Sequence, residues 1–129
     1  MMRGGRRKSK AALRFEERQR RDKDAPRLHH EHPELRTLRL ELAEYRQGES
    51  ATSRRHIRHI VVERAAALFI FPCSTPDCDG EHDFTHELSH KLRVKAEQFE
   101  GKRECRGLRH GIPCDHGMSY QAYASYTGR

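Results

Sequence analysis

The clearest alternation of apolar and polar residues runs through residues 114–127, near the end of the chain. One set of alternate positions is mostly apolar or aromatic, namely Met118, Tyr120, Ala122, Ala124 and Tyr126, and the other is mostly polar, namely Ser119, Gln121, Tyr123 and Ser125. A period of two residues places successive side chains on opposite faces of a strand. The pattern therefore predicts a half-buried antiparallel strand whose first set faces the core.

The most apolar run, residues 56–72, lies in the middle of the chain. Its last part, Ala-Leu-Phe-Ile-Phe, is rich in residues that favour strands, and it stops at Pro72. We therefore predict a strand here, with residues 66–71 as a central segment that is covered on both faces. Residues 102–109 are predicted to form a further strand that contains Cys105.

Residues 34–47 have a helical pattern instead. Four apolar side chains share one helical face: Leu35, Leu38, Leu42 and Tyr45. The alternating leucines of this stretch also fit a strand, but its Leu, Arg, Glu, Ala and Gln residues favour helices. We therefore predict a helix that ends at Gly48.

A second helix is predicted from about residue 86 to residue 99, with Asp83 or Thr85 as its N-cap and Gly101 beyond its end. Its apolar positions fall roughly on one face: Leu88, Leu92, Ala96 and Phe99. The elements together predict an α+β fold. Its centre is a small β-α-β-β unit, in which one helix packs on an antiparallel sheet, preceded by the helix over residues 34–47.

Composition limits how large the core can be. The chain has 129 residues, 35% of them charged and 34% hydrophobic, with no Trp and a mean hydropathy of −1.04. This length allows one domain, and so small a core needs a metal or disulfides as a staple. Because the sequence lacks the ~18-residue apolar stretch of a membrane span and the apolar region of a secretory signal, we expect a cytoplasmic protein outside membranes.

Positive charge is concentrated at the N-terminus. Residues 1–25 hold ten Lys or Arg against four Asp or Glu, with few large apolar residues. We predict a disordered basic arm over residues 1–25, followed by one folded domain over residues 26–129. The net charge of +7 favours polyanions as partners. The candidate phosphate contacts are Arg3, Arg6, Arg7, Lys8 and Lys10, and the alternative is a solubilising tail.

Four cysteines form two pairs, Cys73 with Cys78 and Cys105 with Cys114. In a reducing compartment such pairs favour a metal over disulfides. Zn²⁺ takes four thiolates as a tetrahedron. We therefore predict one structural, zinc-ribbon-like site on these cysteines that staples the domain. The alternatives are disulfides Cys73–Cys78 and Cys105–Cys114, buried free thiols, and a site in which His82, His110 or His116 replaces one cysteine.

Residues 86–90 read His-Glu-Leu-Ser-His, which matches the pattern H-E-x-x-H. This segment resembles the signature of the zincin metallopeptidases over those residues alone. The resemblance implies that His86 and His90 bind a catalytic zinc from one helical face, with Glu87 as the general base. The extended form of the signature is absent, because Arg and Ala stand at the positions of its Gly and third His. The alternative is a solvated polar helix face.

These features predict a small zinc-binding accessory module without catalytic residues, which contacts RNA, a ribosome or DNA through its basic arm. One alternative is a protein–protein adaptor with structural zinc that uses the sheet and residues 34–47 and ignores nucleic acid. The other is a zinc hydrolase that uses residues 86–90. In the C-terminal strand Tyr120 and Tyr126 are predicted to face inward and Tyr123 to be the more exposed tyrosine, so the pattern does not favour a platform of tyrosines that stack on bases. The pattern leaves the oligomeric state open.

Overall fold

The computed structural model describes residues 9–49 and 52–128, except for the side chain of Ser53. The helices are α1 (Lys10–Asp24), α2 (Leu28–Glu31) and α3 (Thr85–Arg93). The strands are β1 (Leu35–Arg46), β2 (Thr52–Ile60), β3 (Ile70–Pro72), β4 (Glu81–Asp83), β5 (Gln98–Glu104), β6 (Leu108–Arg109), β7 (Ile112–Pro113) and β8 (His116–Tyr126). The predicted α+β content, with an antiparallel sheet and a packed helix, is confirmed.

Four strands form one antiparallel sheet in the order β2-β1-β8-β5. β8 pairs with β1 on one side and with β5 on the other, so the strand with the clearest alternation is a central strand. Its buried side chains are the predicted set: Met118, Tyr120, Ala122, Ala124 and Tyr126. The alternation correctly predicted both the strand and the face that it buries, because only one face of this sheet is covered by other elements.

Residues 34–47 form a strand, so the predicted helix is wrong. In β1, Leu38, Leu40 and Leu42 are buried, whereas the residues between them are partly exposed. β1 also has a hydrogen-bonded neighbour along each of its edges, β2 on one side and β8 on the other. This pairing and packing outweigh the weak helical preference of the Leu, Arg and Glu residues.

The single strand predicted over residues 56–72 is wrong, because this run contributes to two strands. β2, an edge strand of the sheet, ends at Ile60, and two N–H groups then donate to the Val61 carbonyl at 3.0 and 2.9 Å. After this turn the chain passes through the core, where Phe69 is buried. β3 then pairs with β4 in a separate two-stranded ribbon. The central segment predicted over residues 66–71, covered on both faces, is therefore wrong, since the residues of β3 stay at least partly exposed. Apolar content carried no information about the turn.

α3 ends at Arg93, well before the predicted residue 99. Lys95 has a φ of 57°, a left-handed conformation that ends the helical path. The chain then enters β5, in which Phe99 lies opposite Ala122. The apolar spacing that suggested one long helix therefore belongs to two elements, and the strand predicted over residues 102–109 is displaced towards the N-terminus, to β5.

The hydrophobic core lies on one face of the sheet, beneath α2, α3 and the segment that leads to β3. Its largest buried side chains are Leu28, Leu40, Leu42, Phe84, Leu88, Leu92, Met118 and Tyr120. The opposite face is more polar and more exposed, and there the guanidinium of Arg39 lies 4.3 Å from the centre of the Tyr123 ring. The four cysteines form a second buried cluster at the end of the sheet where β8 begins.

Residues 10–24 form α1, which differs from the expectation of an arm without regular structure; residues 1–8 lie outside the described residues. The hydroxyl of Ser9 caps the helix by accepting the N–H of Ala12 at 3.1 Å. Arg21 fastens α1 to the domain through two hydrogen bonds to the Glu81 carboxylate, at 3.3 and 2.7 Å. All 15 residues of α1 remain at least partly exposed. The described helices are too short or too polar to cross a membrane.

Candidate metal centre

Two loops bring the four cysteines together. Cys73 and Cys78 lie on the loop between β3 and β4, and Cys105 and Cys114 lie between β5 and β8. Their sulfurs all lie within 4.8 Å of one another, and each residue is only 4–9% exposed. The sulfur of Cys73 lies 3.9 Å from that of Cys114, and the sulfur of Cys78 lies 3.5 Å from that of Cys105. Four buried cysteines thus cluster at distances compatible with a metal site.

The two loops hold one cysteine each in the same way. The N–H of Gly80 donates to the sulfur of Cys78, and the N–H of Gly107 donates to the sulfur of Cys105, both at 3.3 Å. Each donor lies two residues after its cysteine. An N–H group that points at a sulfur favours the thiolate over the thiol, because it stabilises negative charge there. The backbone of both loops is therefore arranged to support thiolates.

Gly80 and Gly107 also let the loops approach each other closely. A Cβ on Gly80 would lie 2.4 Å from the sulfur of Cys105, and a Cβ on Gly107 would lie 2.4 Å from the backbone nitrogen of Gly80. Neither position has room for a side chain. Sequence reasoning missed both glycines. The signal was the repeated Cys-x-Gly, at residues 78–80 and 105–107, which links two distant segments by the same short pattern.

Further backbone bonds fix the loops around the cysteines. The N–H of Cys73 donates to the Gly80 carbonyl at 2.9 Å, and the N–H of Cys114 donates to the Gly107 carbonyl at 3.0 Å. The carboxylate of Asp79 ties one loop to the other by accepting the N–H of Leu108 at 2.8 Å. The long spacing between Cys105 and Cys114 is taken up by the small hairpin of β6 and β7. The site is therefore held by main-chain contacts on both loops.

Burial opposes ionisation of three of these thiols. It raises the pKa of Cys78 to about 11, and it also raises the pKa of Cys105. Burial opposes ionisation of Cys114 as well, but a hydrogen bond from the His116 backbone and the neighbouring thiols outweigh it and lower the pKa of Cys114 to about 7. A metal that binds here must displace protons, so its affinity depends on pH.

The histidines considered as substitute ligands lie in different positions. His110 is exposed, and its ring lies 3.2 Å from the Asp77 carboxylate. His82 is buried at 1% exposure but is not part of the cysteine cluster. The imidazole of His116 forms a smaller group with Asp115 and the sulfur of Cys114. The four thiols therefore make a complete set of ligands without an imidazole.

The disulfide alternative predicted bonds within each pair, Cys73–Cys78 and Cys105–Cys114. All four cysteines are free in the structure. Two close pairs of sulfurs join the two loops, Cys73 with Cys114 at 3.9 Å and Cys78 with Cys105 at 3.5 Å, and all four sulfurs lie within 4.8 Å of one another. The geometry therefore presents one cluster of four thiols rather than two separate pairs along the chain.

The His-Glu-Leu-Ser-His segment forms most of α3, and its two histidines and its glutamate have different surroundings. His86 and His90 are exposed, and within the described residues neither belongs to a cluster of three possible metal ligands. Glu87 instead accepts a hydrogen bond from the buried Tyr120 hydroxyl at 2.7 Å and lies 3.3 Å from the guanidinium of Arg103. These contacts give Glu87 a structural role, in which it fastens α3 to the sheet.

The predicted phosphate contacts are only partly described. Lys10 begins α1, whereas Arg3, Arg6, Arg7 and Lys8 lie outside the described residues.

Comparison of the chain with protein-family models, with curated proteins and with solved structures finds no match. The functional argument therefore rests on the geometry of the cysteine cluster and on the distribution of charge.

Proposed function

We propose that this chain is a small binding module whose fold is stapled by one structural Zn²⁺ and which contacts an anionic partner, a nucleic acid free or within a ribosome. The cluster of four buried thiols is the observation that carries the metal part. Zn²⁺ bound to four cysteines in a tetrahedron has Zn–S distances of about 2.3 Å, which places the sulfurs about 3.8 Å apart. Two of the separations between sulfurs, 3.5 and 3.9 Å, lie close to that value.

The chemistry of the donors favours zinc over harder cations. Thiolates are soft ligands, and Mg²⁺ and Ca²⁺ prefer oxygen. Four protein ligands occupy all positions of a tetrahedral zinc, which is typical of structural sites rather than catalytic ones. The hydrolase alternative gains no support, since Glu87 is engaged by Tyr120 and Arg103 and the two histidines of the motif are exposed.

A metal at this position would add stability where the hydrophobic core is absent. The cysteine loops lie beyond the main core and form a separate buried cluster. Zinc sites of this kind supply roughly 10 kcal/mol or more of apparent binding free energy, which becomes folding free energy when the unfolded chain lacks the site. Removal of the metal is therefore expected to unfold these two loops first.

Native mass spectrometry of protein purified under reducing conditions tests the zinc proposal. We expect one zinc per chain in the wild type and in a His86→Ala/His90→Ala variant, and none in Cys105→Ser. Reduced wild-type protein without bound zinc would contradict the proposal. A zinc that disappears in the histidine variant and stays in the cysteine variant would instead favour the hydrolase hypothesis.

The positive charge of the chain is the reason for proposing an anionic partner. The net charge is +7, and the basic arm, α1 and β2 together carry thirteen of the 26 Lys and Arg residues. Each phosphate that such groups neutralise contributes about 0.7 to 0.9 to the slope of log affinity against log salt concentration. A steep slope would distinguish this function from that of a protein–protein adaptor, which ignores nucleic acid.

Fluorescence anisotropy with labelled oligonucleotides, measured from low to physiological salt, tests the partner. We expect the variant Arg3→Gln/Arg6→Gln/Arg7→Gln/Lys8→Gln to bind more weakly and with a shallower slope than the wild type. An unchanged slope would remove the arm from the contact. If the wild type binds neither single-stranded nor duplex DNA or RNA, the nucleic-acid function is wrong and the adaptor alternative is favoured.

A further inference from the structure

A cleft of about 660 Å³ lies between α1 and the outer edge of the sheet. One wall is formed by α1, through Phe15, Arg18 and Asp22, and the other by β2 and β3, through Arg58 and Phe71. The cleft opens to solvent, and it is separate from the cysteine cluster. Its shape is that of an open groove, which suits an extended ligand better than an enclosed small molecule.

The rims of the cleft are basic. Arg18 lies on the α1 side, and the guanidinium of Arg58 stands above the Phe71 ring, 5.8 Å from its centre, on the β2 side. The sequence of β2, TSRRHIRHI, contains three arginines and no acidic residue. Asp22 is the acidic side chain in the lining, and Arg21 is already engaged by Glu81. The rims therefore offer two arginines, on opposite sides, for anionic groups.

The floor of the cleft is apolar and includes aromatic rings. It consists mainly of the residues that link β2 to β3, with Ala66, Leu68 and Phe69 among them. Phe15 contributes a ring from the α1 side and is 53% exposed. An amphipathic helix normally buries such a residue, but Phe15 faces a cleft that its own domain leaves open. Such a surface favours a ligand that brings flat apolar groups as well as charge.

We propose that this cleft binds single-stranded nucleic acid, with phosphates on Arg18 and Arg58 and a base stacked on Phe15. This inference rests on the proposed function and names its contact surface on the folded domain. A single strand carries an anionic backbone and exposed bases, which match the basic rims and the aromatic floor. A duplex hides the faces of its bases by stacking, so it could use the rims but not the floor.

The wall that completes the cleft is fastened to the domain near the C-terminal end of α1, where the guanidinium of Arg27 donates to the Asp22 carbonyl. The two hydrogen bonds from Arg21 to Glu81 connect α1 to β4, and the part of the helix that carries Phe15 and Arg18 projects beyond this contact. A nucleic-acid strand that contacts both Arg18 and Arg58 would thus draw α1 and β2 together. Binding is expected to reduce hydrogen exchange in α1, because the helix gains a partner at Phe15 and Arg18.

Two pairs of matched variants of the full chain test the inference. Arg18→Gln/Arg58→Gln removes the rim charges, and Arg20→Gln/Arg55→Gln removes the same charge from the same two elements outside the cleft. Phe15→Ala removes the ring, and Leu13→Ala truncates a side chain of equal exposure that does not line the cleft. The probes are fluorescein-labelled 12-mers of deoxythymidine and of uridine, with a 12-base-pair duplex for comparison.

We expect Arg18→Gln/Arg58→Gln and Phe15→Ala each to weaken binding of the single strands by about tenfold, and their controls by less than about twofold. Circular dichroism and zinc content should be the same in all variants. Equal losses of affinity in variants and controls would overturn the cleft as the binding site and leave nucleic-acid binding by overall positive charge intact. Duplex binding as tight as single-strand binding would also overturn it. Absence of binding by the wild type would overturn both the cleft and the proposed nucleic-acid function.

Discussion

The close approach of the two cysteine loops leads to a sharp prediction for Gly107→Ala. The added Cβ would lie 2.4 Å from the nitrogen and 2.5 Å from the Cα of Gly80. Non-bonded carbon atoms at contact lie about 3.5–4.0 Å apart, so the loops must separate by about 1 Å. Both clashing atoms belong to the backbone and cannot rotate away. Separation of the loops would pull Cys78 and Cys105, which lie on opposite sides of this contact, apart.

Overpacking of this kind costs about 1–3 kcal/mol. If the strain is relieved by parting the loops, zinc affinity should fall by about 5- to 150-fold, since 1.4 kcal/mol corresponds to a factor of ten. A chromophoric chelator that competes for Zn²⁺ measures this change, and thermal unfolding with and without zinc measures its effect on the fold. The melting temperature of the zinc-loaded variant should fall towards that of the metal-free wild type.

Gly111→Ala is the matched control, because this glycine lies on the same loop with no heavy atom within 4 Å of its would-be Cβ. Its φ of +80° makes alanine strained by about 1–2 kcal/mol, but that strain stays at the tip of the small hairpin. Zinc affinity should therefore change by less than about threefold. The reasoning is refuted if Gly107→Ala binds zinc as tightly as Gly111→Ala does.

Three further predictions concern the rest of the domain. Tyr120→Phe removes the hydroxyl that donates to Glu87 and should lower the free energy of unfolding by about 1–2 kcal/mol, measured by urea denaturation, with no change in zinc content; unchanged stability would contradict the role given to Glu87. Burial lowers the pKa of His82, because it disfavours the charged imidazolium. The fold is therefore fully stable above the unfolded-state pKa of about 6.5, where the ring is neutral, and it loses stability as the pH falls from there towards the lower folded-state pKa. Stability of zinc-saturated wild type should drop between pH 7 and pH 6 more than that of His82→Leu, and parallel profiles would disprove this. Glu81→Gln breaks the contact with Arg21 and should speed trypsin cleavage within α1 while changing global stability by less than about 1 kcal/mol; equal cleavage rates would show that other contacts hold the helix.

The sequence predicted most accurately where one physical constraint acted alone. β8 is half buried along its whole length, so its side chains alternate cleanly and the strand and its inward face followed from that alternation. α3 was predicted correctly as a helix, because Leu88 and Leu92 lie one turn apart and both are buried. Its end was wrong, because Phe99 continues the apolar spacing from a different element.

The prediction failed where local preference and tertiary pairing disagreed. Residues 34–47 have a helix-forming composition, yet they form β1, whose two neighbours in the sheet come from residues 52–60 and 116–126. Hydrogen bonds to segments so distant in the chain cannot be read from a local window. The same holds for α1, whose position depends on a contact between Arg21 and Glu81, 60 residues apart.

The sequence by itself determined the residues of the candidate site, because four cysteines in two pairs are the soft ligands present in a small, polar chain. Only the tertiary structure decided that the two pairs meet: the sulfur of Cys73 lies 3.9 Å from that of Cys114, and the sulfur of Cys78 lies 3.5 Å from that of Cys105. It also decided that Glu87 supports the fold, and that α1 and β2 enclose a basic cleft. The physical reason is that ligand chemistry belongs to each residue, whereas distance depends on how the sheet brings remote segments together.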